Sequence, residues 1–95
     1  MVQFAIQFRH VGLRRLWERG DGRRINPEHV VRVNCILDDL AQAIQPADMR
    51  RPSYRLHQLR GNRRGTWSVR VSGNWRITFR FVEGQAVDID LEDYH

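Results

Sequence analysis

The stretch GTWSVRVSGNWRITFRF, residues 65–81, contains two runs of alternating apolar and polar side chains on either side of the break SGN. Successive side chains of a β-strand point to opposite faces, and a short break that contains glycine makes neighbouring strands antiparallel. The apolar positions are Trp67, Val69 and Val71 in the first run and Trp75, Ile77, Phe79 and Phe81 in the second. The stretch therefore predicts two antiparallel strands, residues 66–71 and 74–81, that share an apolar face.

Two further runs extend this sheet. YRLHQL, residues 54–59, precedes the break RGNRRG, and QAVDIDL, residues 85–91, follows the break EG. In the last run we expect Val87, Ile89 and Leu91 to lie on the apolar face. The opposite face is charged and carries Arg70, Arg76, Arg80, Asp88, Asp90 and Glu92. The second half of the chain is thus predicted to form an antiparallel sheet of about four strands.

The first half predicts an N-terminal strand and then two helices. VQFAIQF, residues 2–8, is rich in strand-forming side chains. Helical spacing of apolar residues begins after His10 and ends at Gly20, where a left-handed cap is favourable. Together with the sheet, these elements predict a single α+β domain over residues 1–95, in which the helices cover the apolar face.

The second helix is predicted over residues 26–44. Asn26 is a favourable N-cap, Pro27 suits the first helical position, and Pro46 ends the pattern. The expected buried stripe consists of Val30, Val33, Leu37, Leu40, Ala41 and Ile44. Cys35 is expected to be a small buried residue of this helix.

The charge of the chain points to a polyanionic partner. All sixteen basic residues are arginines, and the formal net charge is +5 at pH 7. A guanidinium stays charged at any working pH, donates hydrogen bonds in a planar fork and stacks on bases, which suits nucleic acid. A GC-rich genome would also replace lysine by arginine, but it would not produce the net positive charge.

Membrane and disulfide-stabilised classes receive no support from the sequence. No apolar run approaches the ~20 residues that a membrane-spanning helix needs, and the segment MVQFAIQFRH is too short for a signal peptide. The single cysteine excludes an internal disulfide. We therefore expect a soluble cytoplasmic protein without a membrane partner.

Candidate catalytic groups lie in the second half of the chain. His57 alternates with Leu56, so it is expected on the charged face of the sheet. The chain ends on LEDYH, which adds Asp93, Tyr94 and His95 to the end of the last strand. His10 and His29 stand at helix starts, where surface or capping positions are expected.

These groups match metal-independent cleavage of RNA. That reaction needs proton transfer from a 2′-hydroxyl and to a 5′-oxygen, for which imidazoles are suited, and cations that stabilise the phosphorane. Metal-ligand spacings and phosphate-binding glycine loops are missing from the sequence, so no cofactor is expected. Two alternatives stay open: cross-strand ion pairs on a solvated face, and a basic binding face without catalysis.

The motifs FRHVGLRRLWERG, YRLHQLRG, GTWSVRVSGNWRITFRF and DIDLEDYH resemble the HigB-type toxins of the RelE/ParE superfamily, over nearly the whole chain. The resemblance implies a compact RelE-like, microbial-ribonuclease-type α+β fold. It also implies a toxin of a type II toxin–antitoxin system that cleaves mRNA in the ribosomal A site. The implied partners are mRNA, the ribosome, a helix-turn-helix antitoxin encoded by the adjacent gene and, through the antitoxin complex, operator DNA.

The resemblance also assigns site residues. The catalytic set that it implies is His57, Arg76, Asp93, Tyr94 and His95, and Arg60 stands in place of a family lysine. With the other arginines of the arginine-rich second half, the expected RNA-binding and phosphate-binding set is Arg60, Arg63, Arg64, Arg70 and Arg80. His57 and His95 would share the acid and base roles, Tyr94 would orient or stack on a base, and Asp93 would set the histidine tautomer.

Two features bear on how strongly this resemblance predicts mRNA cleavage. The family usually has LHPLKG where this chain has LHQLRG, so Gln58 and Arg60 replace a proline and a lysine. Arg60 can hold a phosphate but cannot exchange a proton. The alternative function is a non-catalytic ribosome-binding or nucleic-acid-binding module, or a ParE-like gyrase inhibitor.

Overall fold

The computed structural model describes residues 6–93. Two α-helices, α1 (Val11–Arg19) and α2 (Val30–Gln42), precede four strands, which are β1 (His57–Gln58), β2 (Trp67–Ser72), β3 (Trp75–Val82) and β4 (Gln85–Asp93). The strands form one antiparallel sheet in the order β1-β2-β3-β4. The α+β class with two helices and a sheet of about four strands is confirmed.

Helix α1 begins at a capping residue, whereas α2 begins later than its predicted cap. The imidazole Nδ1 of His10 accepts a hydrogen bond from the Leu13 amide at 3.1 Å, and Gly20 ends α1 in the left-handed region at φ 69°. Asn26 Oδ1 accepts from the Glu28 amide at 2.9 Å, but residues 27–29 form a 3₁₀ turn, so α2 starts only at Val30.

One hydrophobic core lies between the helices and one face of the sheet. Its fully buried members include Leu13, Val33, Ile36, Leu37, Leu40, Val69, Ile77, Phe79 and Ile89. Two expectations for α2 are wrong. The helix ends at Gln42, so Ile44 leaves it and is 65% exposed, and Cys35 is exposed because Ile36 occupies the core side of that turn.

β4 contains a bulge that the alternating pattern does not predict. Thr78 pairs with Asp90, but Arg80 pairs with Val87, so β4 has one extra residue between these pairs. Asp88 stands there in the left-handed region at φ 51°. An extra residue reverses which side chains face the core. Ala86 therefore belongs to the core, and the expectation that Val87 shares the face of Ile89 is wrong.

One predicted strand is shorter than expected, and another falls largely outside the described residues. The predicted strand 54–59 is reduced to His57–Gln58, because Pro52–Tyr54 form a 3₁₀ turn and Arg55 has φ 48°. The predicted strand 2–8 falls largely on residues 1–5, which lie outside the described part of the chain. Phe8 forms an isolated parallel bridge with Ile89. Among residues 6–93, no helix is long and apolar enough to cross a membrane.

Candidate active site

The sheet surface opposite the core, here called the polar face, is organised by strand register. One row across it runs His57, Ser68, Thr78 and Asp90, and the next runs Arg70, Arg76 and Glu92. Paired residues of neighbouring strands project to the same side, with strands about 4.8 Å apart. The register therefore places His57 on the same face as the arginines, as predicted from its alternation.

Arg76 reaches from its own row towards that of His57. Its Nη1 lies 3.4 Å from Ser68 Oγ, and Ser68 is the residue paired with His57. Ser68 is fully buried although it is polar, so its hydroxyl gives Arg76 a fixed neighbour. The geometry brings a guanidinium to the strand directly beside the exposed imidazole.

Arg76 and Arg70 are directly opposite each other on β3 and β2. Like charges at paired positions destabilise a sheet by a few tenths of a kcal/mol or more. Neither arginine forms an ion pair with an acid among residues 6–93. An anionic ligand seated between the two guanidinium groups would remove this repulsion.

Glu92 also lies on the polar face, but its carboxylate is already engaged. Arg63 donates to both of its oxygens at 2.8 and 2.6 Å, and the hydroxyl of Thr78 donates to Oε2 at 2.5 Å. The hydrogen bonds from Arg63 hold the pKa of Glu92 below its usual value, with a smaller contribution from Thr78. Glu92 therefore anchors the turn that carries Arg63 and does not neutralise Arg76.

We expect Glu92→Gln to destabilise the fold by about 1–3 kcal/mol at pH 7, because Arg63 and the buried Thr78 lose a charged acceptor. Since the folded pKa of Glu92 lies below its unfolded value of 4.5, this contribution is complete above that value. It disappears as the pH falls through the folded pKa. Urea unfolding of both proteins across this range tests it, with Glu18→Gln on the exposed side of α1 as control. A difference in the free energy of unfolding that stays constant at all pH values would contradict the role assigned to the Glu92 carboxylate.

His57 is carried by a segment that α2 holds in place. Arg32 donates to the Ser53 carbonyl at 2.6 Å and to the Arg70 carbonyl at 2.9 Å, so it joins α2, this segment and β2. The Tyr54 hydroxyl donates to Asp39 at 2.6 Å. Burial, followed by this hydrogen bond, raises the pKa of the Tyr54 phenol above its usual value. His57 is thus exposed on a backbone that is fixed just before it.

The remaining predicted phosphate-binding residues flank the polar face. Arg60 and Arg64 line an open cleft of about 490 Å³ together with Gln58, the neighbour of His57. Neither forms an ion pair with a described acid. Arg80 is paired with Asp88 at 3.2 Å, which matches the cross-strand ion-pair alternative at this one position.

The C-terminal part of the predicted site is only partly described. Asp93 pairs with Trp75, whereas its neighbour Glu92 pairs with Arg76. By alternation Asp93 belongs to the core side of the sheet, not to the polar face. Tyr94 and His95 lie outside the described residues, so their roles, and that of Asp93, stay predictions.

Three contributors were not expected from the sequence. Ser68 and Thr78 are buried on the polar face. The alternation within residues 65–81 could have predicted that they lie on this face, but not that they are buried. Arg9 lines a second cleft on this face, and no local pattern links it to the strands. The histidines at positions 10 and 29 have other surroundings: His10 caps α1, and the buried His29 ring lies 6.1 Å from that of Trp75.

Comparison with known proteins identifies the family of the chain. The family described as "RelE-like toxin of type II toxin-antitoxin system HigB" matches residues 6–95. The chain belongs to the HigB-like toxin family. The match spans both helices, the whole sheet and the segment that carries His57.

Two curated relatives resemble this HigB-like toxin over nearly their full lengths. "Endoribonuclease HigB" of Proteus vulgaris is 41% identical over 88 residues, which cover 93% of this chain and 96% of the relative. "Toxin HigB-1" of Vibrio cholerae serotype O1 is 30% identical over 94 residues, covering 95% and 97% of the two chains.

Proposed function

We propose that this HigB-like toxin is an endoribonuclease that cleaves mRNA while it is translated in the ribosomal A site. The observation that carries the proposal is the pair Arg70 and Arg76 on the polar face beside the exposed His57, since neither arginine forms an ion pair with an acid among residues 6–93. A phosphodiester is an anion that fits between such cations, and an imidazole next to it can transfer protons. The name of the 41% identical relative, an endoribonuclease, supports the same activity.

The proposed mechanism uses side chains for proton transfer and for charge stabilisation, without a metal ion. One imidazole takes the proton of the 2′-hydroxyl, whose oxygen attacks the adjacent phosphorus. Arg76 and Arg60 stabilise the additional negative charge, and a second imidazole donates a proton to the leaving 5′-oxygen. We assign these two imidazoles to His57 and His95.

The remaining predicted residues and partners complete this proposal. Tyr94 would orient the substrate or stack on a base, and Asp93 would set the tautomer of a histidine. Membership of a type II toxin–antitoxin family implies an antitoxin as partner. We propose that it is a helix-turn-helix protein that links the toxin to operator DNA, and that the toxin acts in the cytoplasm, where translation takes place.

A translation system assembled from purified components tests the function. The wild-type protein is expected to cut mRNA at positions set by the ribosome, and His95→Ala is expected to lower the cleavage rate by about 10²–10⁴-fold without unfolding. The matched control is Glu18→Gln on α1. If the wild-type protein cuts no mRNA but inhibits DNA gyrase, the ParE-like alternative holds. Full activity of folded His95→Ala would reject the assignment of His95.

A further inference from the structure

The polar face contains a second cleft beyond the Arg70 and Arg76 pair, here called the Arg9 cleft. It has a volume of about 380 Å³ and is lined by Arg9, Asn62, Arg63, Arg64, Thr66, Thr78, Arg80 and Asp88. Along β3, Thr78 is two residues from Arg76 and Arg80 is four, which corresponds to about 7 and 13 Å. The cleft therefore lies further along β3 than the Arg70 and Arg76 pair, and Arg64 connects it to the cleft that Arg60 and Gln58 line.

The charges of the Arg9 cleft do not cancel. Arg63 is bound to Glu92, and Arg80 is paired with Asp88. Arg9 and Arg64 form no ion pair with any acid among residues 6–93. Arg9 is near enough to Glu92 to help lower the pKa of that carboxyl, but the four arginines of the cleft face only two acids, Asp88 and Glu92, which leaves an excess of positive charge.

The cleft is built on fixed backbone. The Arg9 amide donates to the Ile89 carbonyl at 2.8 Å, which attaches Arg9 to β4 beside the bulge. The Arg64 amide donates to the Gly61 carbonyl at 3.2 Å, and the Thr66 amide donates to the Arg63 carbonyl at 3.0 Å. Arg9 and Arg64 therefore start from positions that the fold determines, which lowers the entropy lost when a ligand binds.

The lining groups suit one kind of anion. Guanidinium groups bind phosphate through paired hydrogen bonds, and the amide of Asn62 and the hydroxyl of Thr66 can contact a sugar or a phosphate oxygen. We propose that the Arg9 cleft binds a backbone phosphate of RNA at a nucleotide other than the one that is cleaved. This inference rests on the proposed function, since it assigns a second contact to the same RNA-binding face.

The binding test uses mRNA with a 2′-deoxy nucleotide at the cleavage position, which removes the attacking hydroxyl, so that binding is measured without cleavage. A series of such mRNAs has one uncharged methylphosphonate at each successive position, and toxin binding to ribosomes programmed with each is measured. In the wild-type protein we expect one flanking position to weaken binding about tenfold. In the double variant Arg9→Gln, Arg64→Gln the same methylphosphonate should cause no further loss, because the contact is already missing.

The matched control is Arg14→Gln, Arg19→Gln, two exposed arginines of α1. It has the same net charge as the double variant, so a general charge effect appears in both. The slope of log binding constant against log salt should fall by about 0.7 for each lost contact in the Arg9 and Arg64 variant, beyond the change in the control. A folding defect is excluded if both double variants have the unfolding midpoint of the wild-type protein.

The other outcomes are equally informative. If no mRNA position couples to the two arginines but binding to ribosomes without mRNA weakens, the phosphate belongs to ribosomal RNA and the inference stands. The inference is overturned if the Arg9 and Arg64 variant binds as the control variant does, both to mRNA-programmed ribosomes and to ribosomes without mRNA. It is also overturned if only antitoxin binding is lost. If one methylphosphonate position weakens binding only when Arg9 and Arg64 are present, but the wild-type protein cuts no mRNA, the proposed function fails and the phosphate site remains.

Discussion

Replacing His57 by alanine is expected to lower the rate of mRNA cleavage by about 10²–10⁴-fold, the usual contribution of a positioned general acid or base. The residue is exposed on the two-residue strand β1, so its loss leaves no cavity. Its Nδ1 lies 3.4 Å from the Arg55 carbonyl, a local contact only. The free energy of unfolding should therefore change by less than about 0.5 kcal/mol.

The measurement is the rate of mRNA cleavage on programmed ribosomes at saturating toxin, together with urea unfolding of the same preparation. Glu18→Ala is the matched control, because Glu18 is an exposed residue of α1, which carries none of the proposed catalytic groups. Partial recovery of His57→Ala by added imidazole would indicate a lost proton-transfer group. A stable variant that cleaves at the wild-type rate would remove His57 from the mechanism.

Replacing Arg76 by alanine is expected to lower the cleavage rate by about 10²–10³-fold, as removal of one transition-state hydrogen-bond donor does in other enzymes. The same change should not destabilise the protein. Because Arg76 stands opposite Arg70 without a described acid partner, its removal relieves a repulsion of about 0.2–1 kcal/mol, and the contact with Ser68 Oγ that is lost is long, at 3.4 Å, and therefore weak. Activity and stability should therefore change in opposite directions.

Urea unfolding in low salt, repeated near 1 M salt, measures the stability effect. At the higher ionic strength the Debye length is about 3 Å, so the gain in stability should largely disappear. Arg76→Lys retains the charge without the planar fork and should recover only part of the activity. Arg19→Ala on α1 is the control. An Arg76→Ala protein that loses more than about 1 kcal/mol of stability would show that Arg76 is structural.

Short sequence patterns predict the helices and strands whose geometry depends on residues that are neighbours in the chain. The caps at His10 and Gly20 fix α1, and the alternation through residues 65–81 gives the central two strands. Neither signal contains the information for the bulge at Asp88, because a residue inserted in a strand does not change which side chains are apolar. The sequence therefore placed Val87 on the core side, where Ala86 lies.

The candidate site also has parts that the local sequence predicts and parts that depend on contacts between distant segments. His57 and Arg76 share the polar face because of alternation, which is local and was readable. The placement of Asp93 on the core side follows from the pairing of Glu92 with Arg76, so it depends on register between strands. The Arg9 cleft depends on four separate parts of the chain that meet only in the folded state, and charge spacing along the sequence cannot reveal it.

The two outer edges of the sheet have a consequence for how partners can approach. β1 offers only two residues, and the outer edge of β4 accepts and donates backbone hydrogen bonds with Gln7 and Arg9 near the bulge. Bulges and short edge strands prevent the addition of a further strand from another chain. A protein partner is therefore expected to recognise this toxin through side chains, as a helix laid in a groove does, and not by extending its sheet. The same protection should limit self-association through strand pairing when the toxin is concentrated.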